Sequence, residues 1–480
     1  MKSQEAPAVN ETLLDEKLAS LEKSKNWSPR AISRLENLIR SGDDFSLFRV
    51  NPITYAGEKG LPEKEAIDLF LHATIAGLFE MNWNLVCPGC TAVVESFATL
   101  KNFHSHFHCA TCNADIEASL DDYIMISFTV APEIREISFH HPELLGGDEY
   151  LSKYHFSKEG MIKGGYNWVE QISKKIPYFT YMEPGERKAF SAKVDEGVLV
   201  IADLLNHTGT PFMVSGEKGN GGAARIRLAP SSVEGAGSAI HSGEASFDVV
   251  HEGSRKGLLT LINLPLDYKE RYPVEFLPYL SGKKLLNTQS FRDLFRHEVI
   301  QGMESLGVKD ISIIFTDLKG STSLYERIGD LKAFSLVREH FDILARVITA
   351  NSGAIVKTIG DAVMGTFMNP YDAVKAAIEM RRAIQAMNSS TGKRDLILKI
   401  GIHKGASIVV NLNDRLDYFG QTVNVASRVQ QLAEADEILI TDEMYGYDGV
   451  KELLSDFGVA QSRARLRGVM DEVSVFRINA

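Results

Sequence analysis

The segment 355–367, IVKTIGDAVMGTF, decides how the C-terminal part of the chain folds. Ile355, Val356 and Ile359 run into Gly360-Asp361, and Ala362, Val363, Met364 and Phe367 follow. Apolar runs on both sides of a Gly-Asp pair predict a β-hairpin with a tight turn at that pair. Lys357 and Asp361 stand four apart on either side of the glycine. A turn Asp and a solvated strand Lys are each common in ordinary hairpins, so the flanking segments have to separate a site from a surface.

Working outward, elements alternate from residue 309 on. DISIIFTDL predicts a strand, STSLYERIG and DLKAFSLVREHFDILARVITANSG two helices, then come the hairpin and the helix DAVKAAIEMRRAIQAMN. LILKIGIHKGASIVV reads as a strand or long hairpin, TVNVASRVQQLAEA as a helix, EILIT and VSVFRIN as strands. The order βα-β-β-αβ implies an α+β domain of ferredoxin-like, palm type, with an antiparallel-type sheet and helices on one face.

Asp317 ends the apolar strand ISIIFTD, immediately before LKGSTSLYE. Free backbone N–H groups near Gly320, Ser321 and Thr322 can face an anion, and a carboxylate can hold a hard cation through oxygen. Ser321 or Thr322 serving simply as a helix N-cap is the competing reading. If the first strand lies beside the hairpin, Asp361 reaches the same sheet edge as Asp317. Two carboxylates there can bind the pair of Mg²⁺ ions used in in-line phosphoryl chemistry.

Taken together, FTDLKGSTSLYERIGD, VKTIGDAVMGTF, KIGIHKG and DYFGQTVNVASRV resemble the catalytic domain of class III nucleotidyl cyclases, over residues 309–480. The resemblance implies that Asp317 and Asp361, with the backbone of Leu318, hold two Mg²⁺ or Mn²⁺ ions. It implies that Gly320, Ser321 and Thr322 face the phosphates. Lys357 and Asp417 fall at the base-reading positions, Asn424 and Arg428 at the transition-state positions. Arg467, in RARLRGVMDEV, falls where relatives often carry a phosphate-binding Lys, with Arg463 and Arg465 close by. The stretch GASIVVNLNDRLDYFG lacks a second glycine common in the family, while Asp417 is fixed by standing seven residues before Asn424.

Lysine only donates and an ionised Asp only accepts, which matches the N1 acceptor and N6 amino donor of adenine. Guanine offers the reverse pattern, and each buried mispaired group costs on the order of 1–3 kcal/mol. The expected enzyme is therefore an adenylate cyclase, converting ATP to 3′,5′-cyclic AMP and pyrophosphate. Arg428 suits a phosphate whose charge is being redistributed, and Asn424, four residues away, shares its helix face. His403 reads as a satisfied strand histidine. In the family the metal pair and the base-reading residues come from different subunits. This chain carries each element once, which implies a homodimer with two equivalent composite sites.

All four cysteines lie between residues 87 and 112. Cys87-Pro-Gly-Cys90 and Cys109-Ala-Thr-Cys112 have the spacing of two metal-binding knuckles, and four thiolates favour a structural Zn²⁺; a redox pair of CxxC motifs is the alternative. His104, His106 and His108 read as a solvated face beside them. WNLVCPGC and FRDLF resemble an N-terminal module attached to some bacterial class III cyclases. ETLLDEKLASLEKS, SPRAISRLENLIRSG and LPEKEAIDLFLHATIAGLFEM predict helices, without the basic recognition helix that a DNA-binding reading needs. Short strands with turn-rich separators, among them YIMISFTVA, EGVLVIADLLN and GLLTLINL, suggest a sandwich-like domain. GEKGNGGA lacks the Lys-Ser/Thr and helix of a P-loop and reads as a hairpin. Over 288–306 a stripe of Phe291, Leu294, Phe295, Val299, Met303 and Leu306, capped by Thr288, predicts a helical connector. The resulting division is a helical module at 1–80, a zinc ribbon at 81–122, a β-rich sandwich-like domain at 123–285, a connector at 286–308 and the cyclase domain at 309–480.

Composition sets the outer limits. Of 480 residues, 44% are hydrophobic and 24% charged, as in ordinary globular proteins. A net charge of −11 argues against bulk binding to nucleic acid or an anionic membrane. The opening MKSQEAPAVNETLLDEKLASLEK has no apolar h-region, and no run approaches the roughly 20 residues of a membrane span, so a cytoplasmic protein is expected. Rival readings are a guanylate or broader nucleotidyl cyclase, and a zinc-ribbon regulator that binds nucleotide without turnover. The ligand or protein partner of the regulatory region is not legible in the sequence.

Overall fold

The structure, a computed structural model, describes residues 9–216, 222–237, 239–296, 306–412, 415–469 and 472–479. The chain divides into two compact units. One comprises Met1–Ala98, His104–Ala118 and Tyr123–Leu280; the other takes Thr99–Phe103, Ser119–Asp122 and Ser281–Ala480.

The first unit opens with helices Glu11–Ser24, Ala31–Ser41, Pro52–Lys59 and Glu63–Ala76. Asn10 caps the first by accepting from the Leu13 N–H, and Leu14, Leu18 and Leu21 form its buried stripe. The helix expected over 61–81 stops at Ala76. Gly77 takes a left-handed conformation, φ 81°, and its N–H closes the last turn on Ala73 and Thr74. Phe79–Val86 then forms a strand against Ile124–Val130, with Phe79 opposite Val130, and against Val93–Phe97. The boundaries expected at 80/81 and 122/123 therefore run through one sheet. The strands Gly197–Asp203, Thr208–Ser215 and Gly257–Leu264 belong to a five-stranded sheet. Arg187–Val194, Ala223–Ala229, Ser232–Gly237 and Gly243–His251 form a four-stranded one. A single core holding Leu199, Ile201, Ile226, Phe247 and Leu259 fills the space between them. Ala223–Ala229 alternates exposed and buried side chains along its length, as a sheet with one wet face does. Most of GEKGNGGA, residues 217–221, lies outside the described residues.

The C-terminal stretch of the second unit opens with a short helix, Gly282–Leu286, followed by the helix α1 (Gln289–Leu294), which Thr288 precedes. The Thr288 hydroxyl donates back to Lys284 O instead of capping α1. Val299 and Met303 of the expected connector stripe lie outside the described residues. Leu306 is not part of a helix; it opens strand β1 (Leu306–Leu318) and is buried there. Next come α2 (Ser321–Ile328), α3 (Asp330–Ala350), the hairpin β2 (Ala354–Ile359) and β3 (Ala362–Phe367), and α4 (Pro370–Thr391). Then follow β4 (Leu398–Leu412), β5 (Arg415–Phe419), α5 (Gln421–Leu432), β6 (Ile438–Thr441), β7 (Gly458–Arg465) and β8 (Glu472–Asn479). The sheet order is β2-β3-β1-β4-β6-β8-β7, with β5 paired to the end of β4. Only β4 and β6 run parallel among these pairs.

β1 is buried on both faces from Ile311 to Thr316. On one face α2, α3 and α4 pack over Ile314, Ile400, Ile402, Ile438 and Ile440. On the other, Val425 and Val429 of α5 pack with Leu439 and Val475. Helices thus cover both faces, which corrects the one-faced arrangement expected from the sequence. Gly401 permits it: a Cβ there would stand 2.1 Å from the Gln430 backbone N and 2.3 Å from its Cα. Gly405, on the same side of β4, leaves the corresponding room for Thr422.

Gly401→Ala is therefore expected to destabilise the second unit by about 1–3 kcal/mol through overpacking against helix backbone. Gly307→Ala, which would meet nothing within 4 Å, is the control. Urea unfolding of the two variants checks this, and equal midpoints would refute it.

Candidate active site

The predicted residues fall on β1, the β2/β3 hairpin, α2, β5, α5 and the turn after β7. Asp317 stands near the end of β1, at the point where burial relaxes: Thr316 is fully buried, Asp317 is half-buried and Lys319 is exposed. The next strand but one turns at Gly360, φ 65°, a conformation that favours glycine, and delivers Asp361 at the hairpin tip. β3 pairs with β1 (Thr316 opposite Val363), so both carboxylates reach one edge of the sheet. They feel each other. Burial, and then the charge of Asp361, raise the Asp317 carboxyl above the usual carboxylate range, while Lys399 and the Leu318 N–H act in the opposite direction. Lys399 lies directly across the β1/β4 ladder from Asp317. Asp361 Oδ2 is buried without a hydrogen-bond partner. Two repelling carboxylates, one with an orphaned buried oxygen, fit a hard divalent cation.

α2 starts immediately beyond. Its cap position is Gly320, φ 74°, and no side chain caps it. Ser321 and Thr322 are the first two helical residues, so neither is the N-cap that the alternative sequence reading gave them. The first-turn N–H groups are left without a side-chain cap, and such groups favour an anion.

Lys357 and Asp417, sixty residues apart in sequence, are ion-paired. Lys357 comes from β2 and Asp417 from β5, where it pairs with Val410 of β4. The Asp417 carboxylate is buried, and its second oxygen accepts from the Tyr418 N–H at 2.8 Å. Asn424 and Arg428 lie on one face of α5, exposed and half-buried respectively. Arg428 Nη1 donates to Gln431 Oε1 at 2.8 Å. Arg467 is exposed in the turn after β7, beside Leu466, which packs on α5. His403 is held by Thr441 Oγ1 at 2.9 Å, and burial lowers its pKa. Sequence reasoning missed Lys399, whose place opposite Asp317 follows from strand register. It also missed Gln289 and Arg292 of α1, which reach the backbone of Ile355 and Leu416 far along the chain.

In the first unit the sulfurs of Cys87, Cys90, Cys109 and Cys112 all lie within 4.8 Å of one another. The Cys87–Cys112 and Cys90–Cys109 separations are 3.3 and 3.5 Å, against about 3.8 Å between sulfurs of a tetrahedral zinc with 2.3 Å bonds. Thr91 and Asn113, the residues after each CxxC, are both left-handed, at φ 60° and 48°, so the two knuckles share one turn geometry. Burial pushes the Cys90 thiol well above its usual range, and the other three sulfurs add to it; a cation is what lets four thiolates sit together. His106 and His108 are exposed on the adjoining hairpin, and His104 meets Glu95.

Two family descriptions match the chain. A family of unknown function (DUF5939) matches residues 14–293. The chain belongs to that family. Residues 303–473 match the adenylate and guanylate cyclase catalytic domain, which makes the second unit of this DUF5939 protein a class III cyclase domain. The "Adenylate cyclase" of Anabaena cylindrica is 30% identical over 200 residues, 38% of this chain and 40% of that protein. "Adenylate cyclase 1" of Rhizobium meliloti (strain 1021) is 29% identical over 136 residues, 25% of this chain and 20% of that protein. The chain thus spans less than half the length of either relative. Among solved structures, the adenylyl cyclase CyaB from P. aeruginosa is similar at 24% identity. That match covers 37% of this chain and 97% of that one, with a TM-score of 0.34. The guanylate cyclase domain of RhGC from Catenaria anguillulae in complex with GTP is similar at 20% identity, 36% and 98% coverage and a TM-score of 0.33. Among the described residues no helix is long and apolar enough to cross a membrane.

The DUF5939 unit is expected to copurify with one zinc per chain by elemental analysis. Cys90→Ser should lower that content and the unfolding temperature together, and a wild-type protein free of zinc would refute the assignment.

Proposed function

We propose that the protein is an adenylate cyclase, forming 3′,5′-cyclic AMP and pyrophosphate from ATP. The observation that carries the reading is the Lys357–Asp417 pair, a donor and an acceptor held side by side. Its pattern is complementary to the Watson–Crick edge of adenine and mismatched to that of guanine. The match to the adenylate and guanylate cyclase catalytic domain supports the reaction class.

Asp317 and Asp361 would hold the cations, and divalent metal bound there supplies the Lewis acidity that in-line phosphoryl transfer uses. In the reaction the ribose 3′-hydroxyl gives its proton to water and its oxygen bonds to the α-phosphorus as the bond from that phosphorus to pyrophosphate breaks. Arg428 donates its fork to the oxygens on which charge accumulates. Asn424, one turn away on α5, orients the ribose, and the uncapped start of α2 at Gly320, Ser321 and Thr322 receives phosphate. The acidic pair and the α5 pair serve different sites of a head-to-tail homodimer. An apolar rim supports that arrangement: Ile359 beside the hairpin tip is 52% exposed and Phe419 beside Asp417 63%, surface that a second copy would cover. In the DUF5939 unit the four cysteines hold a structural zinc, and the unit itself has a regulatory role.

The purified full chain, given ATP, GTP, CTP and UTP with Mg²⁺ or Mn²⁺, is expected to form cyclic AMP from ATP alone. Asp361→Ala should cost about a hundredfold or more in kcat. Preference for GTP, or undiminished turnover in the variant, would overturn the reading. Mixing separately inactive Asp361→Ala and Arg428→Ala chains should restore about a quarter of wild-type activity, since half of randomly paired dimers carry one intact site. No recovery from a mixture shown to exchange subunits would refute the composite site.

A further inference from the structure

The helix α1 touches both arms that carry the base-reading pair. On the Lys357 arm, Gln289 Oε1 accepts from the Ile355 N–H at 2.8 Å. That N–H lies at a bulge, where the β2/β3 register shifts between Ile355 and Lys357 and Val356 is the extra residue. A bulge re-aims the side chain next to it and interrupts the ladder, so Gln289 supplies a partner at the place where the direction of Lys357 is set. On the Asp417 arm, Arg292 Nη1 donates to Leu416 O at 3.2 Å. Its guanidinium stands 5.5 Å from the centroid of the Tyr418 ring. Leu416 and Tyr418 flank Asp417 on β5, and side chains alternate along a strand. Arg292 therefore grips the Tyr418 side of the strand, and the Asp417 carboxylate leaves from the other side towards Lys357. Arg292 Nε donates to Leu286 O at 2.8 Å, which ties the guanidinium to the end of the helix that precedes α1.

Gln289 and Arg292 are three residues apart and share one face of α1. Between α1 and the two arms lies a cavity of about 240 Å³, lined among others by Gln289, Arg292, Lys357, Thr358 and Leu416. The arms are spanned here by polar contacts across a void.

We propose that Gln289 and Arg292 are positioning residues for nucleobase selection: one helix face, bonded to β2 and to β5, sets the separation of the Lys357 ammonium and the Asp417 carboxylate and hence which purine edge the pair accepts. The inference rests on the adenine reading above. Neither residue touches the nucleotide; each acts through the arm it holds.

The test is equilibrium competition of ATP and GTP against a fluorescent ATP analogue on the full chain, which reads base preference with or without turnover. Arg292→Ala is expected to lower the preference for ATP over GTP about tenfold, the effect of losing the hydrogen bond and the ring contact to β5. Manganese affinity should remain at the wild-type value, because Asp317 and Asp361 are untouched. Arg292→Lys, which keeps a donor for Leu416 O, should fall in between. If Arg292→Ala does not fold, Gln289→Ala reads the same ratio from the Lys357 arm. A wild-type protein with no preference for ATP would overturn the adenine reading itself. A wild-type preference that survives in Arg292→Lys and Gln289→Ala would overturn the positioning role alone. An equal loss of affinity for both nucleotides would likewise make α1 a merely structural brace.

Discussion

Burial of β1 on both faces is the constraint from which the catalytic unit is built. Six consecutive residues, Ile311–Thr316, are shielded from water, so an antiparallel strand here cannot keep one wet face as most such strands do. Both faces need helices, and the second layer can approach only where β4 has no side chain in the way, at Gly401. The same constraint locates the chemistry. The buried run can carry carboxylates only at its flanks, Asp310 and Asp317, and Asp317 occupies the flank beside the hairpin tip. The neighbouring hairpin, paired to β1 in register, has no choice but to bring Asp361 to the same edge.

Much of this was legible. The Gly360-Asp361 turn, the strand ending in Asp317 and the helix with Asn424 and Arg428 follow from local pattern, and the structure has each of these elements where the pattern put it. The pairing of Lys357 with Asp417 came from the family resemblance, not from spacing, since no local rule joins residues sixty apart. What failed depends on contacts between distant segments. Helices on both faces could not be read because Gly401 looks like any strand glycine until Gln430 lies against it. Phe79 and Met81 continued an apparent helix because the strand alternates only over its first four residues, Phe79–Asn82, too few to break a helical reading. Leu306 fitted a helical stripe because a single apolar residue at an element boundary suits either period. The boundaries around the cysteines were drawn from composition, whereas the ladder of Phe79–Val86 with Ile124–Val130 is a matter of pairing.

The two kinds of site differ in how their strain is arranged. At the cysteines, four sulfurs, three of them on buried residues, crowd one another. At the sheet edge, two carboxylates do so less severely, because Lys399 stands opposite and solvent is near. A crowded, closed set suits a permanently held ion, and a half-open acidic pair suits one that arrives with substrate. The distinction follows from burial and from the charge of Lys399, without regard to which metal is supplied.

The hairpin of β2 and β3 carries Lys357 before its turn and Asp361 just after it. In the proposed dimer those two side chains belong to different sites, so one hairpin is shared between two reactions. A shift of its tip by a bound nucleotide alters the metal end of the neighbouring site at the same moment. Communication between the two sites then needs no relay through the subunit core. It is a property of the loop, and its signature would be sigmoidal dependence of rate on nucleotide concentration.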